Sequence, residues 1–425
     1  MSPSQLPSTW PTTPSEEAFW QDIRGQFMLA PDEIYLNTGS WGSMPRCVFG
    51  CLVEELGQLE RNPTVNRGAL HNRVTGARAR LGRFVNAPPE DLAFTMNVTV
   101  AVNMAVHGLD WQAGDEILAS DQEYGAIDNC LHHAQQRWGV VVRRARIPIP
   151  PASPEDVLHA FEEAFTERTR LVVCSHIATY TGLIAPVKEL ADLAHARGAR
   201  IAVDGAHAPG MIPLDLQASG CDFYGGNCHK WLCAPKGTGF LYAPPEAQER
   251  LHHIVVSWGY RQEGVQKGEN GRPKIGNGPF MWGLENWGTR DLACLAAVGE
   301  AVGFQERIGA ARIAGRGRLL AGYLRERMSQ TGWAELISPS RPDMSGLIST
   351  FRLRGFDPAN LRKALYDRYR ISTPVFSGEK YATPRVSTHL YNSFEQIDRL
   401  MDALTELREA KSSPESRVES PEQKR

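Results

Sequence analysis

Apolar runs and helix-spaced segments alternate along this chain, most clearly between residues 171 and 242. Leu171 to Ile177 is an apolar run of the kind that fills a strand covered on both faces. It passes into Ala178-Thr179-Tyr180-Thr181-Gly182, after which Val187 to Arg197 has helical spacing and stops at Gly198. A second run, Ile201 to Val203, follows at once. Strand, loop, helix and strand in that order predict a βαβ unit and a parallel sheet. Beyond Asp204, Gly205 and His207 the pattern predicts a short strand. Gly237 and Gly239 then open the run Phe240 to Tyr242.

The rest of the chain reads in the same alternation. Glu16 to Arg24 starts a helix. Ile34-Tyr35-Leu36 is a short apolar run that breaks into the small-residue loop Asn37 to Gly42. Residues 45 to 86 read as helix, with Arg61, Arg67, Arg73, Arg78, Arg80 and Arg83 on a solvated basic face. Phe94 to Met104 is a strand that turns through small polar residues into a helix. Glu116 to Ala119 and residues 140 to 149 read as strands, and Pro154 to Phe165 as a helix capped by Ser153. Residues 252 to 280, with Gly264, Gly268, Gly271, Gly276 and Gly278, read as a long flexible loop, and 291 to 330 as helix. From 331 the character changes. Gly346 to Leu353 and Arg385 to Ser387 read as strands, Pro358 to Tyr369 and Phe394 to Arg408 as helices.

Composition narrows the classes of function. The chain has 425 residues, 42% hydrophobic and 22% charged, which is ordinary for a globular protein of roughly two or three domains. Its formal net charge of -2 implies neither a polyanion nor a membrane surface as partner. The basic face lacks interleaved aromatics, so nucleic acid is not expected. No apolar run approaches the ~20 residues that cross a bilayer. The N-terminal stretch MSPSQLPSTWPTTPSEE is polar and has no apolar core, and the eight cysteines are scattered. These features lead us to expect a cytoplasmic protein with reduced thiols.

Candidate chemistry starts from two residues. Asp204 ends one apolar run, and Lys230 lies 26 positions later, before the run that ends at Tyr242. Ligands of parallel α/β sheets bind at strand carboxyl ends, so a carboxylate and a lysine at two strand ends can share one crevice. Pyridoxal 5'-phosphate (PLP) needs such a pair. Its aldehyde condenses with a lysine amine, and its ring nitrogen stays protonated against a buried carboxylate. Taken singly, the two read more readily as a surface lysine and a helix-capping aspartate. Cys221, Cys228, His229 and Cys233 raise the question of zinc, but they contain no Cys-x2-Cys pair, and no metal is expected.

Val203-Asp204-Gly205-Ala206-His207, followed by His229-Lys230-Trp231, resembles the PLP-dependent class V aminotransferase family, and within it the isopenicillin N epimerase-like branch. The resemblance runs from roughly residue 30 to 405 and outweighs the separate readings of Asp204 and Lys230. It implies an α/β fold of the PLP-dependent transferase type (fold type I). That fold has a large domain on a mostly parallel seven-stranded sheet and a smaller C-terminal α+β domain. The corresponding division is a flexible arm at 1–18, a large domain at 19–330, a small domain at 331–410 and a disordered tail at 411–425. The N-terminal segment of the large domain contributes to the small one.

The resemblance also implies roles. Lys230 carries PLP, Asp204 pairs with its ring nitrogen, and His207 completes the Asp-x-x-His element. The loop Asn97-Val98-Thr99 cradles the phosphate, as a helix N-terminus with unpaired amides is suited to do; read alone, it is an ordinary N-cap. Asn227 and His229 touch the same phosphate. Tyr124 stacks on the ring. Thr179 stands where many relatives carry an Asn that bonds the phenolic oxygen. Gly288 and Thr289, in a Gly-Thr-x-Asp segment, reach the phosphate of a neighbouring subunit, which implies a homodimer with shared sites; read alone, Thr289 caps a helix. Arg385, in Pro384-Arg385-Val386-Ser387, binds the substrate α-carboxylate; read alone, it is a surface salt bridge. The loop Ile34 to Gly42 lies near the substrate or is an ordinary turn.

The implied enzyme acts at the α-carbon of an amino acid. Epimerisation heads the list, with C–S β-lyase and aminotransferase chemistry as alternatives on the same residues. A PLP-fold binding protein without catalysis is a further one. Residues 373 to 384 contain no cysteine, and the last cysteine in the chain is Cys294. Desulfuration through a protein persulfide on that loop is therefore not expected.

Overall fold

The computed structural model describes residues 14–257, 260, 266–268, 271–275, 278–376 and 383–412. Most of the expected arm and tail lie outside these residues. So do Gly264, Gly276 and residues 377–382 of the loop before Arg385.

The apolar runs form one seven-stranded sheet. Its strands are β1 (Leu92–Thr95), β2 (Glu116–Ser120), β3 (Val141–Ala145), β4 (Thr169–Ser175), β5 (Arg200–Gly205), β6 (Phe223–Asn227) and β7 (Gly239–Tyr242). The order is β1-β7-β6-β5-β4-β2-β3. The strands from β6 to β3 pair in parallel, and β7 runs antiparallel to both β6 and β1. Both faces are apolar. Val172, Cys174, Ile201 and Val203 enter one core, while Leu171, Val173 and Ala202 enter the other. A strand that must satisfy two cores loses the polar alternation of a half-exposed one, which is why these runs stand out in the sequence.

Helices α1 (Pro14–Gly25), α2 (Arg46–Arg61), α3 (Pro63–Val85), α4 (Val98–His107), α5 (Gly125–Trp138), α6 (Pro154–Ala164) and α7 (Val187–Ala196) precede β6. The helices α8 (Leu292–Ile308) and α9 (Ala310–Ser329) follow β7. The single helices expected at 45–86 and 291–330 are each two. Pro63 has no N–H to continue a helix, and Asn62 caps α3 by accepting from the Val65 amide. Gly309 breaks the second with φ +95°. The cap of α8 is Asp291, which accepts from the Ala293 and Cys294 amides, rather than Thr289.

Arg78 corrects the expected basic face. It is buried and makes a two-pronged pair with Glu285 at 2.7 and 2.6 Å, while also donating to the Leu92 carbonyl. Arg290 and the Phe94 amide donate to the same carboxylate. Burial would raise the Glu285 carboxyl, but Arg78, helped by Arg290, outweighs it and holds the group below its usual range. We expect Glu285→Gln to destabilise the fold by about 3–5 kcal/mol, because it strands a buried guanidinium. A depressed carboxyl stabilises above its unfolded pKa, and that contribution fades as pH falls through the folded value. In urea unfolding the deficit of the variant should therefore be full at pH 7 and shrink in acid. Equal stability at pH 7 would show that the pair holds nothing together.

A second, antiparallel sheet contains β8 (Ala334–Leu336), β9 (Ile348–Leu353), β10 (Val375–Phe376) and β11 (Thr383–Ser387) in the order β8-β9-β11-β10. Helices α10 (Pro358–Tyr369) and α11 (Phe394–Ser412) accompany it. Ile34 and Leu36 join its core, and Ile34–Tyr35 pairs in parallel with Ile371–Ser372. The stretch expected as a flexible loop at 252–280 includes a small antiparallel sheet of Gln266–Lys267, Pro273–Ile275 and Gly278–Pro279. Among the described residues no helix is long and apolar enough to cross a membrane.

Because β2, β4, β5 and β6 are parallel, their last residues Ser120, Ser175, Gly205 and Asn227 share one edge of the large sheet. Two reversals separate β1 from β6, so β1 ends on that edge too, and α4 begins there.

Candidate active site

A cavity of about 280 Å³ opens at this edge. Asn97, Val98, Thr99, Tyr124, Thr179, Asn227, His229, Lys230 and Arg385 line it. Asp204 and His207 are buried beside Lys230. Gly288 and Thr289 do not line this cavity; Gly288, at φ +98°, stands beside Ser257.

Lys230 follows β6 in a turn onto which the loop 37–42 packs. The Gly42 amide donates to the His229 carbonyl at 2.9 Å, and a Cβ on Gly42 would fall 1.8 Å from the Lys230 carbonyl oxygen. This segment is thus fitted against the lysine and is not a free turn. Burial pulls the Lys230 ammonium down to about 7; the Asp204 carboxylate opposes the shift and Arg385 adds to it. The Nζ lies 3.3 Å from His207 Nε2, which is 3.1 Å from Thr179 Oγ1. Asp204 is the penultimate residue of β5, with its Oδ1 accepting from the Ala206 amide at 2.8 Å. Burial raises its carboxyl, against the pull of that amide and of Lys230. Its second oxygen has no partner among the described residues.

The start of α4 is partly spoken for. Asn97 Oδ1 accepts from the Val100 amide at 3.0 Å, and Asn227 Oδ1 accepts from the Val98 amide at 2.9 Å. The Thr99 amide between them has no partner among the described residues. Since the Asn227 oxygen is committed, its NH2 donors remain for an anion. His229 uses Nδ1–H on the Thr238 carbonyl at 2.9 Å.

Arg385 stands on β11, opposite Thr350 of β9. It is buried, which removes the surface salt bridge as a reading. Its guanidinium donates to the Thr179 carbonyl (3.3 Å), Asn37 Oδ1 (3.2 Å) and Ser40 Oγ (3.1 Å), and the Phe376 ring lies 5.3 Å away. No carboxylate pairs with it among the described residues, and its Nε is buried without a partner. Burial lowers it to about 10, with Tyr180, Tyr124 and Tyr35 opposing. An unpaired buried cation is costly and calls for an anion.

These groups match what PLP presents: a free amine for the aldehyde, a desolvated carboxylate for the ring nitrogen, and open donors at a helix N-terminus for the phosphate. Among the described residues no cluster of His, Cys, Asp or Glu could hold a metal ion.

Several site residues escaped the sequence reading. Pro374 and Phe376, just before and within the two-residue strand β10, line the cavity from a stretch with no legible pattern. Glu123 is buried and accepts from Ser120 Oγ (2.5 Å), Ser175 Oγ (2.7 Å) and the Ser175 amide (3.1 Å); burial pushes it up to about 7. It ties the ends of β2 and β4 beside Tyr124. Trp231, the last residue of the His-Lys-Trp motif, donates its indole N–H to His207 Nδ1 at 3.2 Å.

The family model for class-V aminotransferases matches residues 34–400. Isopenicillin N epimerase of Amycolatopsis lactamdurans is 40% identical over 392 residues, which is 91% of this chain and 98% of that protein. The enzyme of the same name from Streptomyces clavuligerus is 38% identical over 395 residues, 92% and 98% of the two chains. Among solved structures, a mutant of C-DES with glycine covalently linked to its PLP cofactor superposes with a TM-score of 0.80 at 23% identity. It covers 90% of this chain and 98% of that one, and this likeness speaks to the fold.

Proposed function

This chain belongs to the class-V aminotransferase family, and on that premise we propose that it is a PLP-dependent epimerase acting at the α-carbon of an amino acid or a compound containing one. The observation that carries the reading is the meeting, in one cavity, of a buried lysine whose ammonium is pulled down to about 7 with a buried guanidinium that has no carboxylate partner among the described residues. Relatives of 40% and 38% identity named isopenicillin N epimerase favour epimerisation among the reactions such a site supports.

When bound, PLP supplies an electron sink that weakens the bonds at the substrate α-carbon. The protein's part divides as follows. Lys230 holds the cofactor and, once released, its amine accepts the α-proton; an ammonium could not. Asp204 keeps the ring nitrogen protonated. The Thr99 amide, the Asn227 NH2 group and His229 hold the phosphate, with Asn97 and Val98 shaping that helix end. Tyr124, which lines the cavity, would hold the ring by stacking, and Thr179 with His207 would offer it polar contacts. Arg385 grips the α-carboxylate and so fixes which α-carbon bond faces Lys230. Gly288 and Thr289 serve a partner subunit's site in a homodimer. Their position outside this cavity supports that, as does the exposed apolar run Ile254, Val255 and Val256 next to Ser257. We place the smaller C-terminal unit at 331–410 and the enzyme in the cytoplasm.

The test is incubation of the purified enzyme with a panel of amino acids in heavy water, followed by chiral mass spectrometry. One deuteron at the α-carbon, inverted configuration and an otherwise intact molecule are the expected outcome. Release of a β-substituent with pyruvate and ammonia would replace epimerisation by a C–S lyase or related elimination. A keto acid would replace it by transamination. No exchange with any substrate would leave the binding-protein reading.

A further inference from the structure

Trp231 is fully buried, directly after Lys230. Its backbone carbonyl accepts from Gln305 Nε2 at 2.8 Å and from His389 Nε2 at 3.0 Å, so the residue is anchored. Its indole nitrogen can only donate. That N–H points at His207 Nδ1, 3.2 Å away, so Nδ1 must carry the lone pair. Burial, ahead of the nearby Lys230, Arg385 and His229, keeps the His207 ring neutral. The single ring proton is then on Nε2. This nitrogen faces Thr179 Oγ1 at 3.1 Å and Lys230 Nζ at 3.3 Å.

A protonated Nε2 cannot accept a hydrogen bond. An ammonium at Lys230 would present N–H to N–H, whereas a neutral amine offers a lone pair. The other groups that face Lys230 and His207 are the Asp204 carboxylate on β5, which favours the ammonium, and Arg385 on β11 and His229, which do not. Burial already lowers the Lys230 ammonium against the pull of Asp204, and the orientation of the His207 proton acts in the same direction as burial.

We propose that Trp231 is a positioning residue: its indole N–H locks His207 in the Nε2–H tautomer, and that tautomer adds to burial in favouring the free amine of Lys230. The matter of why this amine is useful rests on the function proposed above, but the tautomer itself does not.

The test uses the full chain stripped of cofactor by dialysis and labelled with 15N-histidine. The His207 signal is identified by its loss in His207→Gln. In the wild type its Nδ1 should resonate as an acceptor nitrogen and its Nε2 as a protonated one, unchanged from pH 6 to 9. Site-specific replacement of Trp231 by its benzothiophene analogue keeps the shape and deletes only the N–H. There the two tautomers should mix, and Nε2 becomes free to accept from an ammonium. The Lys230 midpoint, read from the pH dependence of competitive dinitrophenylation at that residue, should then rise by about one pH unit. A wild-type His207 protonated on Nδ1 would overturn the proposal, and so would an unmoved Lys230 midpoint in the analogue. Should Lys230 prove not to hold the cofactor at all, the function falls while the tautomer measurement stands.

Discussion

Lys230→Ala should lose the absorbance near ~420 nm of covalently held PLP and, with it, turnover by at least about a thousandfold. Among the described residues no other lysine lines the cavity. Lys236, the next lysine along the chain, is committed to the Gly42 carbonyl at 2.7 Å and does not line the cavity. Lys236→Ala is therefore the control, and it should keep the chromophore. Capture of PLP by the stripped protein should also depend on pH with a definite sign. Only the free amine has a lone pair for the aldehyde. Burial places the Lys230 midpoint at about 7, so the capture rate should climb as pH rises through that value and level off above it. An unperturbed lysine would still be climbing near pH 10. A chromophore that survives in Lys230→Ala would remove the residue from the site.

Much of the fold was legible because the large sheet is buried on both sides. Runs such as Ile201 to Val203 have no second reading when the strand between two cores must be apolar throughout. The order of Asp204, Lys230 and Arg385 was equally legible, since each ends or follows such a run or lies on a recognisable strand. What sequence alone misses is what depends on distant partners. Arg78 looked solvated because Glu285, which buries it, stands 207 positions away. Glu123 carries no signal in the sequence, although Ser120 and Ser175 hold it inside. The segment 252–280 looked structureless because its strands are two or three residues long and its glycines mask any period. Thr289 looked like a cap, while Asp291 two positions later does that work. In the site, Asn97 and Asn227 were expected to face a phosphate. Both line the cavity, and their side-chain oxygens satisfy the Val100 and Val98 amides, which leaves the Thr99 amide and the Asn227 NH2 group open. Such a division of donors is a matter of which lone pair meets which N–H, and it has no trace in residue spacing.

Asp204→Ala should retain PLP through Lys230 yet lose turnover by about a thousandfold, and Asp204→Asn should be nearly as poor. The carboxylate lies near the end of β5 with one oxygen tied to the Ala206 amide and the other unmatched by any described residue. Burial raises the Asp204 carboxyl, a cost the fold tolerates at a functional site. A cation at the cofactor's ring nitrogen would reverse that shift, because an opposite charge in a desolvated site favours the ionised carboxylate. Asparagine keeps the volume and the bond to Ala206 but presents NH2 or a neutral oxygen where charge is needed. The ring nitrogen then loses its proton, and with it the pull on electrons from the α-carbon. Two readouts separate this from simple misfolding. The chromophore should persist in both variants, and α-deuterium exchange should fall in step with turnover. If Asp204→Asn exchanged the α-proton at the wild-type rate, the charge of Asp204 would have no part in the chemistry, and the pairing of carboxylate with lysine that first drew attention to this edge of the sheet would be structural.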